Sequence, residues 1–388
     1  QAEDGIRDVE RSRGLGDVYK RQIIGLFLNA IRMSIKFERI HEEGRSKTYG
    51  GFSKDLLIIG LIIALSVVTT IIIGELFFGD DTTTPKFKFP FILDFSLFIN
   101  VPIFMAVLFI YLNKISQGFE WYYLLYIPIL GLQMALSLIN IGHELVHRIN
   151  KKLDCEIGNW ALATAWNPAF AIEHIHGHHK NVGVVEEDPV TANHGENPLI
   201  FAFKAFFKEH THAWGIEKKQ LKIRKKKILS FSNRLLNGYI RTTVIFLLIG
   251  YLFSWQAMLI YISLGIVANY IFQLTNFIEH YGLVRMKGHP VQYHHSWNSN
   301  NRMTSYLTYN LTRHSDHHVH ANKEFWELNP CENSGVLLPS GYLTYILLFT
   351  LVPQYAKSKM EPRLKNWHQN YASSDEKLLT KHYLNFSS

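Results

Sequence analysis

Residues 121–147 read WYYLLYIPILGLQMALSLINIGHELVH, and this stretch decides the fold. Its first part, 121–142, contains no Asp, Glu, Lys or Arg. A run of about 20 uncharged, mostly apolar residues is long enough to cross the hydrocarbon core of a bilayer as a helix. The next five residues are His143-Glu144-Leu145-Val146-His147. The sequence therefore predicts a membrane span that ends in two histidines.

Four further segments have a similar composition and predict four more spans, at 56–78, 91–113, 235–254 and 255–278. An ordinary soluble protein is excluded by these runs. An outer-membrane barrel is excluded because its strands are only about 10 residues long and alternate in polarity. The predicted fold class is all-α: a polytopic membrane helical bundle with five clear spans.

The charge distribution predicts the topology. The chain has 40 Lys and Arg against 32 Asp and Glu, a net charge of +8, and many of the basic residues lie in 204–227. The positive-inside rule explains this loop without nucleic acid and places it, with the histidines, on the cytoplasmic side of a bacterial inner membrane. Five spans would put the basic segment 32–54 outside, so we expect a sixth span upstream.

The chain divides into three parts by composition. Residues 1–22 are polar and aperiodic and resemble translated sequencing-adapter sequence, so they are treated as a non-native segment. Residues 23–55 are predicted to be an N-terminal interfacial segment, because their apolar run is too short to span. Residues 56–388 form the membrane domain. Within it, the apolar run 342–355 is also short and predicts a surface-lying or re-entrant helix.

Nine of the 20 histidines fall in clusters with helical spacing. Residues three or four apart lie on the same face of a helix, so a pair such as His143 and His147 can direct two imidazoles to one metal ion. The lone histidine at the end of a span, His280, is level with His143. We predict that nine histidines hold metal: His143, His147, His174, His178, His179, His280, His314, His317 and His318.

Four carboxylates lie inside these clusters: Glu144, Glu173, Glu279 and Asp316. Metal-bound histidines usually donate their second N–H to a carboxylate or a carbonyl, so we predict that these four orient the ligands. His294 or His295 is a further candidate for such a supporting role. The remaining histidines considered are interpreted as surface or loop residues: His176, His194, His210, His212, His289 and His320.

The ligand number indicates two metal ions, since nine exceeds what one ion holds. Zinc prefers four ligands and has no redox chemistry, whereas imidazole also suits iron. An all-nitrogen site beneath apolar spans therefore favours a di-iron centre that activates O2 for a hydrophobic substrate from the bilayer. The two cysteines, Cys155 and Cys331, cannot supply the four thiolates of a rubredoxin-type centre, so electrons must come from a separate protein.

These residues leave two other functions open, an intramembrane metalloprotease and a metal-handling membrane protein. The stretch 143–147 fits H-E-x-x-H, the zinc-protease motif, but an intramembrane protease needs only two of the nine histidines. A metal-handling membrane protein would bind metal without consuming O2. A transporter, however, needs polar residues along its spans, and these spans have almost none.

Four histidine motifs together resemble those of one family: HxxxH at 143–147, EHxxGHH at 173–179, NxxEHYG at 276–282 and RHSDHH at 313–318. Three shorter motifs extend the resemblance: EDP at 187–189, HHSWN at 294–298 and LPSGY at 338–342. The family is that of the integral-membrane alkane 1-monooxygenases, or alkane ω-hydroxylases. Xylene monooxygenases and membrane fatty acid desaturases are similar but more distant.

The resemblance covers roughly residues 56–367 and implies a six-helix membrane fold with a di-iron site on its cytoplasmic side. It implies the same nine histidines as ligands, O2 as oxidant, and electrons from a separate rubredoxin with its reductase. The expected reaction is the terminal hydroxylation of alkanes to primary alcohols. Hydroxylation of methyl-aromatics and desaturation of fatty acyl chains remain as alternatives.

Overall fold

The computed structural model describes residues 52–84, 86–331 and 335–380, without the side chains of 52–61 and 63–65. The expectations for 1–22, for 23–51 and for a sixth span upstream lie outside these residues. The chain divides into two units, 1–59 and 60–388. The first unit contributes only the opening turns of the first helix to the description, and everything below concerns the second.

Helices dominate the described residues. Their bounds are α1 Phe52–Phe77, α2 Pro90–Gln117, α3 Trp121–His147, α4 Lys152–Thr164, α5 170–181, α6 Pro198–Ile223, α7 Arg234–Leu252, α8 Trp255–His280, α9 Arg302–Leu307, α10 His314–Val319, α11 Tyr342–Leu351, α12 Pro353–Asn370 and α13 Ser374–Thr380. Single 3-10 turns cover Tyr293–His295 and Phe325–Glu327. Two short parallel strands, β1 Trp297–Asn298 and β2 Val336–Leu337, pair Trp297 with Val336.

Among the described residues, four helices are long and apolar enough to cross a membrane: α2, α3, α7 and α8. The predicted spans at 91–113, 121–142, 235–254 and 255–278 are therefore confirmed as helices, and the chain is a multi-pass membrane protein. The predicted span 56–78 lies in α1, which has 26 residues, and its described apolar part is Ser66–Phe77. The predicted fold class, a helical membrane bundle, is confirmed.

Side-chain caps begin the three long helices α6, α7 and α8. Asn197 accepts hydrogen bonds from the first backbone N–H groups of α6, with Pro198 at the first helical position. Asn233 caps α7 in the same way, and Ser254 caps α8. Since only Phe253 and Ser254 separate α7 from α8, the two helices form a tight hairpin, as expected for spans predicted at 235–254 and 255–278.

Two helices contain a π-helical turn, and both turns lie close to histidines. In α3 the turn covers Ala135–Asn140, directly before the His143 segment, and in α5 it covers His174–His178. A π-helical turn bonds residue i to i+5, so residues five apart come onto one face. This local geometry changes which histidines meet.

The short apolar helix α11 is partly buried against α8 rather than lying only on the surface. Tyr342 and Phe349 are buried, and the Phe349 ring packs edge-on against Phe277 at 4.9 Å between centroids. A buried carboxylate in α1, Glu75, accepts hydrogen bonds from the backbone N–H groups of Leu343 and Thr344 at 3.1 and 2.8 Å. Glu75 thus satisfies the first amides of α11, where the positive end of the helix dipole favours an anion.

We predict that Gly341→Ala destabilises the protein by about 1–3 kcal/mol, because the added methyl group overpacks this junction. A Cβ at Gly341 would collide with the Glu75 carboxylate and with the Thr304 hydroxyl. The matched control is Gly215→Ala within α6, where a Cβ meets no atom within 4 Å. That control should be stabilising by roughly 0.5–1 kcal/mol. Thermal unfolding in detergent measures both; equal shifts in the two variants would contradict the role of Glu75.

Candidate metal centre

All nine predicted histidines converge in the structure, in two groups at the polar ends of the spans. One group has five members, His143, His147, His174, His179 and His317, and the other has four, His178, His280, His314 and His318. Within each group, one ring nitrogen from every residue lies within 4.8 Å of the others. Four helices supply them: α3, α5, α8 and α10.

The five-membered group is held by short contacts between Nε2 atoms. His143 and His317 approach to 3.1 Å, His179 and His317 to 3.1 Å, and His174 and His179 to 3.0 Å. The Nε2 atom of His147 is buried and has no hydrogen-bond partner within the described part of the chain. A buried polar nitrogen without a partner costs about 1–3 kcal/mol, which a metal ion at this point would offset.

The four-membered group has the same arrangement. Nε2 of His318 lies 3.2 Å from that of His178 and 2.8 Å from that of His314, and His280 and His314 are 3.2 Å apart. Each ring nitrogen carries either one proton or one lone pair, so the Nε2 atoms of His314 and His318, with two such neighbours each, cannot satisfy both neighbours at once. The donor set of both groups therefore fits metal ions.

Electrostatics favour the neutral form, which metal ligands must adopt, in five of the six clustered histidines outside the spans. The sixth is His178: burial lowers its pKa, but Asp188 outweighs burial and raises it. In the other five, burial lowers the pKa well below its ordinary value, and neighbouring histidines lower it further. The histidines concerned are His174, His179, His314, His317 and His318.

The pairing of the histidines differs in part from the expectation based on α-helical spacing. His143 and His147 share a group, as do His314 and His318, four residues apart. His174 and His178, also four apart, fall in different groups, because the π-helical turn of α5 instead brings His174 to the residue five positions on, His179. In α10, likewise, His317 belongs to the five-membered group, whereas His314 and His318 belong to the four-membered group.

Asp188 orients one of the clustered histidines, and the sequence reasoning did not assign it. Its carboxylate lies 2.9 Å from Nδ1 of His178 and also accepts hydrogen bonds from the Thr191 hydroxyl and the Val190 N–H. Burial opposes ionisation of Asp188, but His178 outweighs it and lowers the pKa of the carboxyl. In the sequence, the feature that indicates this role is the EDP motif at 187–189, whose aspartate is Asp188.

The four predicted orienting carboxylates have different partners. Glu279 lies 3.3 Å from Nδ1 of His314, the kind of neighbour that was predicted. Glu173 instead contacts His212 at 2.9 Å. His212 was interpreted as a surface or loop residue, and it is part-buried.

Glu144 and Asp316 also differ from the prediction. Glu144 forms an ion pair with Arg148 at 3.0 Å, four residues along the chain. Asp316 is fully buried and binds His320 at 2.8 Å and Lys323 at 2.8 Å, neither of which belongs to the two groups. Both carboxylates thus bind side chains outside the two histidine groups, and their position in the histidine motifs did not predict these partners.

His294 and His295 form a third group with Glu376. Nε2 of His295 lies 2.9 Å from Glu376, while its Nδ1 accepts the Gln292 N–H. Since Nδ1 accepts, the proton of the neutral ring is on Nε2 and points at the carboxylate. His295 therefore joins α13 to the segment before β1 rather than presenting a free lone pair.

An apolar cavity lies between the spans and borders both histidine groups. Its lining includes Leu132 and Leu136 of α3, Ile271 of α8 and Ile346 of α11. His143, His174 and His314 border it as well, together with the polar side chains of Asn276 and Glu279. Leu132 precedes His143 by eleven residues, roughly 16 Å along a helix axis. An elongated apolar molecule between the spans would thus reach the clustered histidines.

Comparison with known proteins gives consistent matches. The family model described as fatty acid desaturase matches residues 119–348. Alkane 1-monooxygenase of Pseudomonas putida is 33% identical over 279 residues, which are 70% of this chain and 68% of that protein. Alkane 1-monooxygenase 2 of Alcanivorax borkumensis is 29% identical over 70% of this chain and 76% of its own length. The hydroxylase component of the xylene/toluene monooxygenase of Pseudomonas putida is 27% identical over 62% and 64%.

We predict that Asp188→Asn weakens metal binding by roughly 10–100-fold, because the charge that orients His178 and raises its basicity is lost. Chelator competition with elemental analysis measures the affinity. The matched control is Glu187→Gln at the preceding position, whose carboxylate pairs with the exposed Lys287 at the surface. Equal affinities in the two variants would remove Asp188 from the support of the site.

Proposed function

The chain belongs to the alkane 1-monooxygenase family, within the wider fatty acid desaturase family, and we propose that it hydroxylates alkanes at the terminal carbon. The proposed reaction converts an alkane, O2, two electrons and two protons into a primary alcohol and water. The observation that carries the proposal is the position of the two histidine groups at the polar end of an apolar cavity between membrane-spanning helices.

We further propose two non-haem iron ions as the metals, one for each group. Each group offers imidazole nitrogens as ligand atoms. Imidazole suits iron, and zinc, which imidazole also binds, has no redox chemistry. Bound iron would supply the O2-activating redox chemistry that an unactivated C–H bond requires.

The protein's own residues bind and orient the substrate. Leu132, Leu136 and Ile346 contact a hydrocarbon chain through dispersion and exclude water from it. Polar side chains also border the cavity, among them Asn140, Thr275, Asn276, Thr308 and Glu279. An alkane has no polar group to anchor, so the shape of this apolar channel determines which carbon faces the metal ligands.

Electrons come from rubredoxin and its reductase in this proposal, and the site faces the cytoplasm across a bacterial inner membrane. The two cysteines of the sequence cannot form a four-thiolate centre. The exposed basic residues Lys218, Lys219 and Lys225 provide charge complementary to a small acidic carrier, which raises the encounter rate. The same charges would place this segment on the cytoplasmic side.

Two alternative reactions use the same metal centre. The match to the fatty acid desaturase model favours desaturation as the second candidate, and the similarity to the xylene/toluene enzyme component favours methyl-aromatic hydroxylation. Turnover of alkanes, fatty acyl chains and methyl-aromatics with a purified rubredoxin system, followed by gas chromatography, separates the three. A primary alcohol from an alkane supports our proposal, whereas an alkene as the main product contradicts it.

We predict that His317→Ala and His280→Ala each lower the iron content from about two ions per chain to one or fewer, and abolish alkane turnover, since each removes a ligand from a different group. Iron analysis and Mössbauer spectroscopy measure the loss. The matched control is His289→Ala, at an exposed histidine outside both groups, which should keep both ions. Full iron content and activity in either test variant would exclude that residue from the site.

We also predict that Leu132→Trp shifts the substrate preference toward shorter alkanes, because the indole fills part of the apolar cavity, eleven residues before His143 in α3. Product formation across a series of chain lengths measures the shift. Leu247→Trp on the exposed face of α7 is the control and should leave the preference unchanged, since Leu247 is 64% exposed. An identical chain-length profile for both variants would mean that the substrate does not occupy this cavity.

A further inference from the structure

A second opening reaches the histidine groups, separate in its lining from the apolar cavity. This polar cleft is bordered by His179, His318, the segment Val319–Lys323 and Glu327. His179 belongs to the five-membered group and His318 to the four-membered group. The apolar cavity borders three other histidines of these groups. The two groups therefore lie between an apolar opening and a polar one.

His320 lines this polar cleft and is built like a metal ligand, although it belongs to neither group. Its side chain is 44% exposed, and its Nδ1 lies 2.8 Å from the fully buried carboxylate of Asp316. When Nδ1–H donates to the carboxylate, the neutral ring presents the lone pair of Nε2. Carboxylate–histidine pairs of this kind orient the ligands of many metal sites.

The buried carboxylate of Asp316 is already paired, so it does not act as a free negative charge that would hold a cation at the cleft. Lys323 covers the Asp316 carboxylate at 2.8 Å, so the negative charge of Asp316 is shared between Lys323 and His320. Glu327 and Asn322 are exposed at the border of the cleft. An approaching cation thus meets Glu327 and His320 before it meets His179 and His318.

We propose that this cleft is the route by which divalent metal ions enter and leave the centre, with His320 as a transient ligand. The inference rests on the proposed metal centre. A hydrated dication would lose its water in the apolar cavity, and the desolvation of an ion in such surroundings costs far more than a polar route does. The polar cleft lets water be exchanged for imidazole one ligand at a time.

The experiment follows Co2+ uptake by the metal-free full chain in lipid nanodiscs, using the visible absorption of the bound ion at low ionic strength. His320→Gln should slow uptake at least threefold and leave the final stoichiometry unchanged, since neither histidine group loses a member. Asn322→Asp should accelerate uptake and Asn322→Lys should slow it, by roughly threefold each, because a charge at the border of a cleft changes the local cation concentration. Added salt should reduce both effects of the charge.

Matched controls test whether the uptake rate depends on charge and space at the polar cleft itself. Asn366→Asp and Asn366→Lys place the same charges on the exposed face of α12 and should leave the uptake rate at the wild-type value. Ala321→Trp fills the polar cleft and should slow both uptake and extraction by a chelator. Leu136→Trp fills the apolar cavity instead and should change neither rate.

Different results would contradict the metal centre and the entry route. Wild-type chain that takes up no cobalt overturns the metal centre, and the entry route with it. Stoichiometric uptake at equal rates in both Asn322 variants overturns the entry route alone. A Leu136→Trp variant that loads slowly, with Ala321→Trp at the wild-type rate, would place metal entry on the apolar side and also overturns the proposal.

Discussion

The mutual approach of nine imidazoles, seven buried and two half-buried, is the constraint on which the rest of this structure depends. Several pairs of their Nε2 atoms lie about 3 Å apart inside the protein, and an unsatisfied buried nitrogen costs about 1–3 kcal/mol. Helix ends from α3, α5, α8 and α10 must therefore hold the rings in place, and a bound cation would convert the repulsion of lone pairs into ligation. Two nearby carboxylates help to hold the histidines and the cavity wall in place. Asp188 fixes the ring of His178, and Glu75 fixes α11, one wall of the cavity.

The position of the histidines at the boundary between two environments explains how one site handles apolar and polar species. On one side, the spans enclose a cavity of Leu and Ile side chains, which suits a hydrocarbon. On the other, a cleft with His320 and Glu327 is open to water. Each histidine group contributes residues to both openings. Hydrocarbon and hydrated cation can thus reach the same centre without sharing a path.

Sequence reasoning identified the side chains of the candidate site better than it identified their partners. Among the four carboxylates chosen by proximity in sequence, Glu279 lies next to a clustered histidine, whereas Glu144 pairs with Arg148. Asp316 does contact a histidine, but it is His320, outside both groups. Asp188 was not chosen, because it lies ten residues from His178 and a loop brings it back. Adjacency along the chain is a poor guide to a carboxylate's partner when the acceptor lies on another turn or element.

The sequence alone determined the helical membrane class, the positions of four spans and the nine clustered histidines, because uncharged runs and helical spacing are local properties. Only the tertiary structure decided how the nine divide into two groups. The π-helical turn in α5 joins His174 to His179 instead of His178, and α10 directs His317 away from His314 and His318. These choices depend on backbone hydrogen bonding and on packing between elements far apart in the chain, which an α-helical period does not contain.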